Sequence, residues 1–241
     1  MVAASADPTG SVPPRVLVTG ATGGTGKALV EKLVALGFDV TATSRSVAKA
    51  SAKLPSSVST VECDLFDFDA VRKAVSDKET IFICSGTTTR FDPFDPLKVD
   101  WQGVENLVAA AKLRGTVKKI IMVSSIGVDD PFFPLNLIGG VLWMKKLGEL
   151  AVQRSGIDYT IIRPGGLRSE DDGTTRNVVM GGPNTFGLPP RPKLPGGIMR
   201  QTVADACIEA MRLPEAQNTV VEIIEEEGAP FKQWEQLFSD L

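Results

Sequence analysis

Apolar residues fall along the first two thirds of the chain in short continuous runs, separated by amphipathic stretches. Arg15-Val16-Leu17-Val18-Thr19 has the length and branched content of a buried strand, and 40–44, 58–63, 80–84, 119–124 and 159–163 read as five more. After the first run, Leu29, Leu33 and Leu36 lay an apolar stripe along a helix predicted over 24–36, which Gly37 stops. Val104, Leu107, Val108 and Ala111 recur at helical spacing in a helix predicted over 96–113, and another is predicted over 137–154. Strand–helix alternation of this kind implies a parallel sheet with helices on both faces. The pattern breaks over 165–200. Glycine pairs and Pro183, Pro189, Pro190, Pro192 and Pro195 are too many there for regular elements, so an irregular substrate loop or lid is expected. A helix over 202–212, a strand over 219–224 and a helix over 231–238 complete the chain, with Glu225-Glu226-Glu227 expected to face solvent. The expected fold is α/β: a Rossmann-type doubly wound parallel sheet with a small C-terminal substrate lobe. It forms a single domain over 15–241, after a flexible extension at 1–14.

Composition narrows what such a domain can do. The 241 residues suit one domain of this size, and a net charge of −3 gives no basic footprint, so nucleic acid is not an expected partner. No apolar run approaches the roughly 18 to 20 residues of a membrane span. Cys63, Cys84 and Cys207 lack metal-ligand or redox-motif spacing and read as reduced core thiols. Residues 1–14 are rich in Ala, Ser, Thr, Gly and Pro, without the apolar stretch of a secretory signal or the arginines of a full transit peptide. They read as a flexible extension or the stump of a processed targeting sequence. There is no histidine, which excludes histidine triads, bases and metal ligands, and the one tyrosine is Tyr159.

The chemistry concentrates in the turn Gly20-Ala21-Thr22-Gly23-Gly24-Thr25-Gly26, which follows a buried strand and opens an amphipathic helix. Missing side chains let a backbone approach a pyrophosphate, and the helix N-terminus offers unpaired N–H donors to it. The next strand ends in Thr43-Ser44-Arg45-Ser46 rather than in the acid that binds an NAD ribose, and Asp39 lies at its wrong end. Arg45 can fork onto a 2′-phosphate with serine hydroxyls assisting, so the expected cofactor is NADP(H).

Taken in order, that turn, Arg45, Cys63-Asp64-Leu65, Cys84-Ser85-Gly86, Val123-Ser124-Ser125-Ile126-Gly127 and Tyr159-Thr160-Ile161-Ile162-Arg163-Pro164-Gly165-Gly166-Leu167 resemble the atypical short-chain dehydrogenase/reductases, the NmrA-like branch in particular. The resemblance covers about 15–240 and is strongest to plant and cyanobacterial members, which include reductases and chloroplast tethering proteins. It implies that Gly20, Thr22, Gly23, Gly24, Thr25 and Gly26 cradle the dinucleotide and that Asp64 and Leu65 flank the adenine. Ser85 and Gly86 would pass beneath the cofactor, and Pro164 and Gly165 would meet the nicotinamide carboxamide through the backbone. It further implies a location in the chloroplast stroma, the cytoplasm being the alternative.

In the broader family a serine, a tyrosine and a lysine four residues later reduce carbonyls, the lysine lowering the tyrosine pKa from about 10. The segment Val141-Leu142-Trp143-Met144-Lys145 resembles that helix with Lys145 as the lysine, which puts Val141 where the tyrosine would stand. Tyr159 begins a strand and cannot serve. Acceptors that spread or already carry charge, such as quinones, flavins or iminium ions, need no such acid. Ser124 and Ser125 are the candidates to orient one, with Lys145 holding the nicotinamide ribose unless it merely pairs with Glu149 one turn on. The alternative is a non-catalytic NADP(H)-binding sensor or assembly subunit with a protein partner in place of a small-molecule acceptor. Asn106 is a candidate structural asparagine, and Trp101 and Trp143 read as packing residues.

Overall fold

The computed structural model describes residues 14–86, 96–137, 140–186 and 196–241. The expected extension at 1–14 therefore lies, but for its last residue, outside the described residues. In chain order the elements are β1 (Arg15–Thr19), α1 (Gly24–Ala35), β2 (Asp39–Ser44), α2 (Val47–Ser51), β3 (Ser59–Glu62), α3 (Phe68–Val75) and β4 (Thr80–Ile83). A π-helical turn (Leu97–Gln102) runs into α4 (Gly103–Arg114), then come β5 (Lys119–Val123), a 3-10 turn (Pro134–Leu137), α5 (Val141–Gln153) and β6 (Asp158–Pro164). Next are β7 (Gly166–Arg168), β8 (Arg176–Gly181), β9 (Gly197–Met199), α6 (Arg200–Arg212), β10 (Thr219–Glu227) and α7 (Trp234–Ser239).

Among the described residues the main sheet runs β3-β2-β1-β4-β5-β6-β10-β8, parallel throughout except for β8, which pairs antiparallel with β10. This is the Rossmann-type arrangement. Both sheet faces are covered, since the central strands β1, β4, β5 and β6 bury side chains on either side. Val16, Val18, Phe82 and Ile121 join Leu29, Leu33, Val203 and Cys207 of α1 and α6 in one core. Leu17, Ile81, Ile83 and Ile120 join Leu107, Val108 and Val152 of α4 and α5 in the other. Chain order reverses between β1 and β4, so a crevice opens at their carboxyl ends, where sheets of this kind take ligands.

Three expectations need correction. Residues 165–200 are not irregular throughout: β7 pairs with β9, and β8 forms the sheet edge. The run from Arg176 to Met180 is free of proline and rich in branched residues, and the exposed edge of β10 satisfies its backbone. Pro183 sits in the turn after β8, whereas Pro189, Pro190, Pro192 and Pro195 lie outside the described residues. The helix predicted over 137–154 starts at Val141, behind Gly140, whose φ of +66° is left-handed backbone that no preceding helix could continue through. The helix predicted over 96–113 is π-helical over Leu97–Gln102.

Glu225 is a fourth correction. Its side chain is 8% exposed and pairs with Arg168 at 2.6 Å while accepting the Met199 N–H and the Thr202 hydroxyl. The acidic run thus begins inward and ties β10, β7 and the start of α6 together. Cys63 and Cys207 are buried free thiols, as expected. Burial pushes the Cys63 thiol up to about 11, the charges of Asp64 and Asp67 adding to it.

Candidate dinucleotide and acceptor site

The glycine turn is shaped by close backbone packing. Gly20 has φ +65°, and a Cβ there would stand 2.5 Å from the Cys84 carbonyl oxygen and the Ser85 nitrogen. A Cβ on Gly26 would collide with the Gly20 carbonyl. Gly20 thus lets the turn press onto the end of β4, where Thr19 donates to the Ser85 hydroxyl at 3.2 Å, and Gly26 lets α1 pack against the turn. Gly23 caps α1 with extended backbone and no side-chain hydrogen bond, and the first turn carries no acid. The N–H groups opening this helix face the crevice without an internal anion, which fits a pyrophosphate. Gly24 and Thr25 open the helix, while Thr22 is only partly buried.

Around this turn the sequence candidates divide into two groups. Arg45 is exposed at the end of β2 and has no carboxylate partner among the described residues. The flanking serines already have work: Ser44 Oγ bonds the Ser46 backbone, and Ser46 caps α2. Asp64 Oδ1 accepts the Phe66 N–H in a tight turn after β3. Asn106 of α4 donates to the Leu65 carbonyl at 2.9 Å and the Phe66 carbonyl at 3.3 Å, so it is structural and holds that loop.

Lys145 lies deeper. A Cβ on Gly148, one turn further along α5, would overlap the Asp100 carbonyl, so only glycine lets α5 close on the π-helical turn. That approach brings Lys145 Nζ to 2.8 Å from Asp100 Oδ1, with Asp100 1% exposed. Both groups lie beside Gly86, where a Cβ would be 3.3 Å from Nζ. Lys145 therefore pairs with Asp100 rather than Glu149. It is Lys146 that approaches Glu149, at 3.6 Å.

The serines at the end of β5 differ from one another. Ser125 Oγ donates to the neighbouring Ile126 carbonyl at 3.0 Å, whereas Ser124 Oγ is buried with no hydrogen-bond partner among the described residues. At the end of β6, Pro164 O accepts the Ile126 N–H and the Gly165 N–H donates to Ile223, so these residues have only carbonyl lone pairs to spare. Trp101 is half-buried, and Trp143, 49% exposed, lays its ring over Gly140 at the start of α5.

Sequence reasoning missed a charged network behind this site. Arg163, 1% exposed, donates twice to Glu149 at 2.7 and 2.9 Å and once to Asp129 at 2.7 Å. Lys146 adds a 2.6 Å pair to Asp129, and Glu222 lies 3.8 Å from the guanidinium while accepting the N–H groups of Asn184 and Phe186. Burial favours the neutral Asp129 carboxyl, but Lys146 and Arg163 outweigh it and hold the group below its ordinary range. An arginine inside the apolar strand Ile161-Ile162-Arg163 was the available signal, since such a charge needs a buried partner. Asp100 left no signal beyond sharing a helical face with Gly103 and Asn106.

Sheet order, the glycine turn on the β1–α1 crossover and the ligand crevice define a Rossmann-type dinucleotide-binding protein. The chain belongs to the NAD(P)H-binding family, which it matches over residues 20–214. It is 38% identical to an uncharacterised chloroplast protein of Arabidopsis thaliana, over 94% of this chain and 82% of that protein. It is 32% identical to the chloroplast protein TIC 62 of Pisum sativum over 93% of this chain, but spans only 45% of that longer relative. Sanguinarine reductase of Eschscholzia californica is 34% identical over 61% of this chain and 53% of its own length. Among solved structures, a Bacillus halodurans protein assigned to the NAD-dependent epimerases/dehydratases superposes with a TM-score of 0.77. It is 25% identical, and the match covers 95% of this chain and all of that one. Among the described residues no helix is long and apolar enough to cross a membrane.

Proposed function

We propose that the chain binds NADPH in preference to NADH and reduces a conjugated or already charged acceptor of the quinone, flavin or iminium class. The observation that carries this reading is the Lys145–Asp100 pair, kept beside Gly86 while Val141 stands where a proton-donating tyrosine would. The N–H groups of Gly24, Thr25 and Gly26 hold the pyrophosphate, with Gly20, Thr22 and Gly23 shaping the turn, where the Gly23 N–H donates to the Gly20 carbonyl. Arg45 forks onto the 2′-phosphate, Asp64 and Leu65 flank the adenine, and Ser85 and Gly86 form the floor. Lys145 hydrogen-bonds the nicotinamide ribose, and the Pro164 and Gly165 carbonyls face the carboxamide. Bound NADPH supplies the hydride, and Ser124 and Ser125 orient the acceptor. The similarity to a reductase supports the reaction class, and the chloroplast relatives support a place in the chloroplast stroma.

NADPH oxidation against a panel of quinones, flavins and iminium compounds tests the reaction, with Ser125→Ala and Lys145→Ala expected to lose most turnover. Undiminished turnover in both variants would remove the site assignment. For the cofactor, Arg45→Ala should weaken NADPH by about 2 kcal/mol, a charge-assisted fork, and leave NADH nearly unchanged. Equal weakening of both would refute the preference. A second reading, a non-catalytic NADP(H)-binding subunit with a protein partner, is favoured by the apolar surface of Phe132 (91% exposed), Leu135 and Trp143. Tight NADPH binding with zero turnover would decide for it.

A further inference from the structure

Arg200, the first residue of α6, lies across the first residue of α1. A Cβ built on Gly24 would stand 2.5 Å from Arg200 Cδ and 2.6 Å from Nε, so the arginine stem rests on the glycine turn itself. Its guanidinium donates to the Leu167 carbonyl at 3.4 Å and to the Ser169 hydroxyl, both in the segment that leaves the end of β6. The neighbouring cations are neutralised: Lys32 of α1 pairs with Asp205 of α6 at 2.6 Å, and Arg168 pairs with Glu225. Arg200 has no carboxylate partner among the described residues.

A cation is poorly placed at a helix N-terminus, where the positive end of the dipole and unpaired N–H groups already point. An anion bound at the turn would offset that penalty. We infer that Arg200 is a second arginine of the dinucleotide site, a clamp that closes on the pyrophosphate from the α6 side. This rests on the reading that the Gly20–Gly26 turn takes the pyrophosphate. Leu167 and Ser169 hold the guanidinium in place until the phosphates arrive, through neutral hydrogen bonds that a charge-assisted phosphate contact displaces. The clamp serves both nicotinamide cofactors, because the pyrophosphate is common to them. Discrimination is left to Arg45, at the end of β2.

The test is a titration of NADPH, NADH and adenosine 2′-monophosphate into the wild-type chain, Arg200→Ala, Arg200→Lys and Arg45→Ala. Arg200→Ala should weaken NADPH and NADH by the same factor, about 10- to 100-fold, the range of a hydrogen-bonded charge. It should leave adenosine 2′-monophosphate, which lacks the pyrophosphate, unchanged. Arg200→Lys should recover part of the loss, and Ser169→Ala should bind both dinucleotides at least as tightly as wild type. Wild-type affinity in Arg200→Ala overturns the clamp. So does a loss confined to NADPH, which would place the guanidinium at the 2′-phosphate. If Arg200→Ala does not fold, the lysine and Ser169→Ala variants carry the same comparison. A wild-type chain that binds neither dinucleotide overturns the cofactor reading first, and is told apart by that control.

Discussion

On the β1–β4 side of the crevice the candidate site is made of backbone, whereas on the α5–β6–β10 side it is held by long charged side chains. The glycine turn works through what is missing: Gly20 leaves no side chain between the turn and the end of β4, Gly26 none between α1 and the turn, and α1 begins with no acid. The other side works through what is buried: Arg163 gathers Glu149, Asp129 and Glu222 from three separate segments, and Asp100 fixes Lys145. The first arrangement is built from a turn that is local in sequence and needs only permissive residues where it meets β4. The second binds distant elements together, and its members are costly unless all are present. Substitutions on the two sides should therefore fail differently.

The largest effect is expected from Arg163→Met. It removes both hydrogen bonds to the buried Glu149, leaving that carboxylate only Lys146 at 3.6 Å, and should cost about 3–5 kcal/mol, the loss for breaking one side of a buried pair. Thermal unfolding should then fall by about 6–20 °C for a chain of this size. A shift of a degree or two would mean that the network contributes nothing to stability. Gly26→Ala comes next. Overpacking against the Gly20 carbonyl should cost about 1–3 kcal/mol and abolish dinucleotide binding in the protein that still folds. Intact binding there would break the contrast between the two sides.

The smallest effect concerns acid. The folded Asp129 carboxyl titrates below its unfolded value, so the unfolded chain binds more protons in that window and stability falls as pH drops below about 4. Urea midpoints compared at neutral and at acid pH should fall more steeply for wild type than for Asp129→Asn. Parallel declines would show that another group governs the acid limb.

Much of the first side was legible in the chain. The strand, the glycine spacing, the amphipathic helix and Arg45 follow one another within about 30 residues, so local pattern carried them. The central strands of the parallel sheet were legible for the same reason, since burial on both faces leaves short apolar runs such as Val16-Leu17-Val18 and Ile81-Phe82-Ile83. The prolines of 165–200 hid β8 because edge pairing with β10 depends on a strand 38 residues or more away, which no local propensity reports. Val141 announced the missing phenol, but nothing announced Asp100 as the partner of Lys145. That pairing exists because Gly148 lets two helical segments touch.

The sequence by itself thus determined the class of fold, the glycine turn and the absence of histidine, because these depend on residue type and short spacing. Tertiary structure alone decided which charges meet. Arg163 with Glu149, Lys145 with Asp100 and Arg200 against Gly24 join residues 14, 45 and 176 positions apart. Ion pairs of that reach are set by how helices and strands pack, and packing is a property of the whole core.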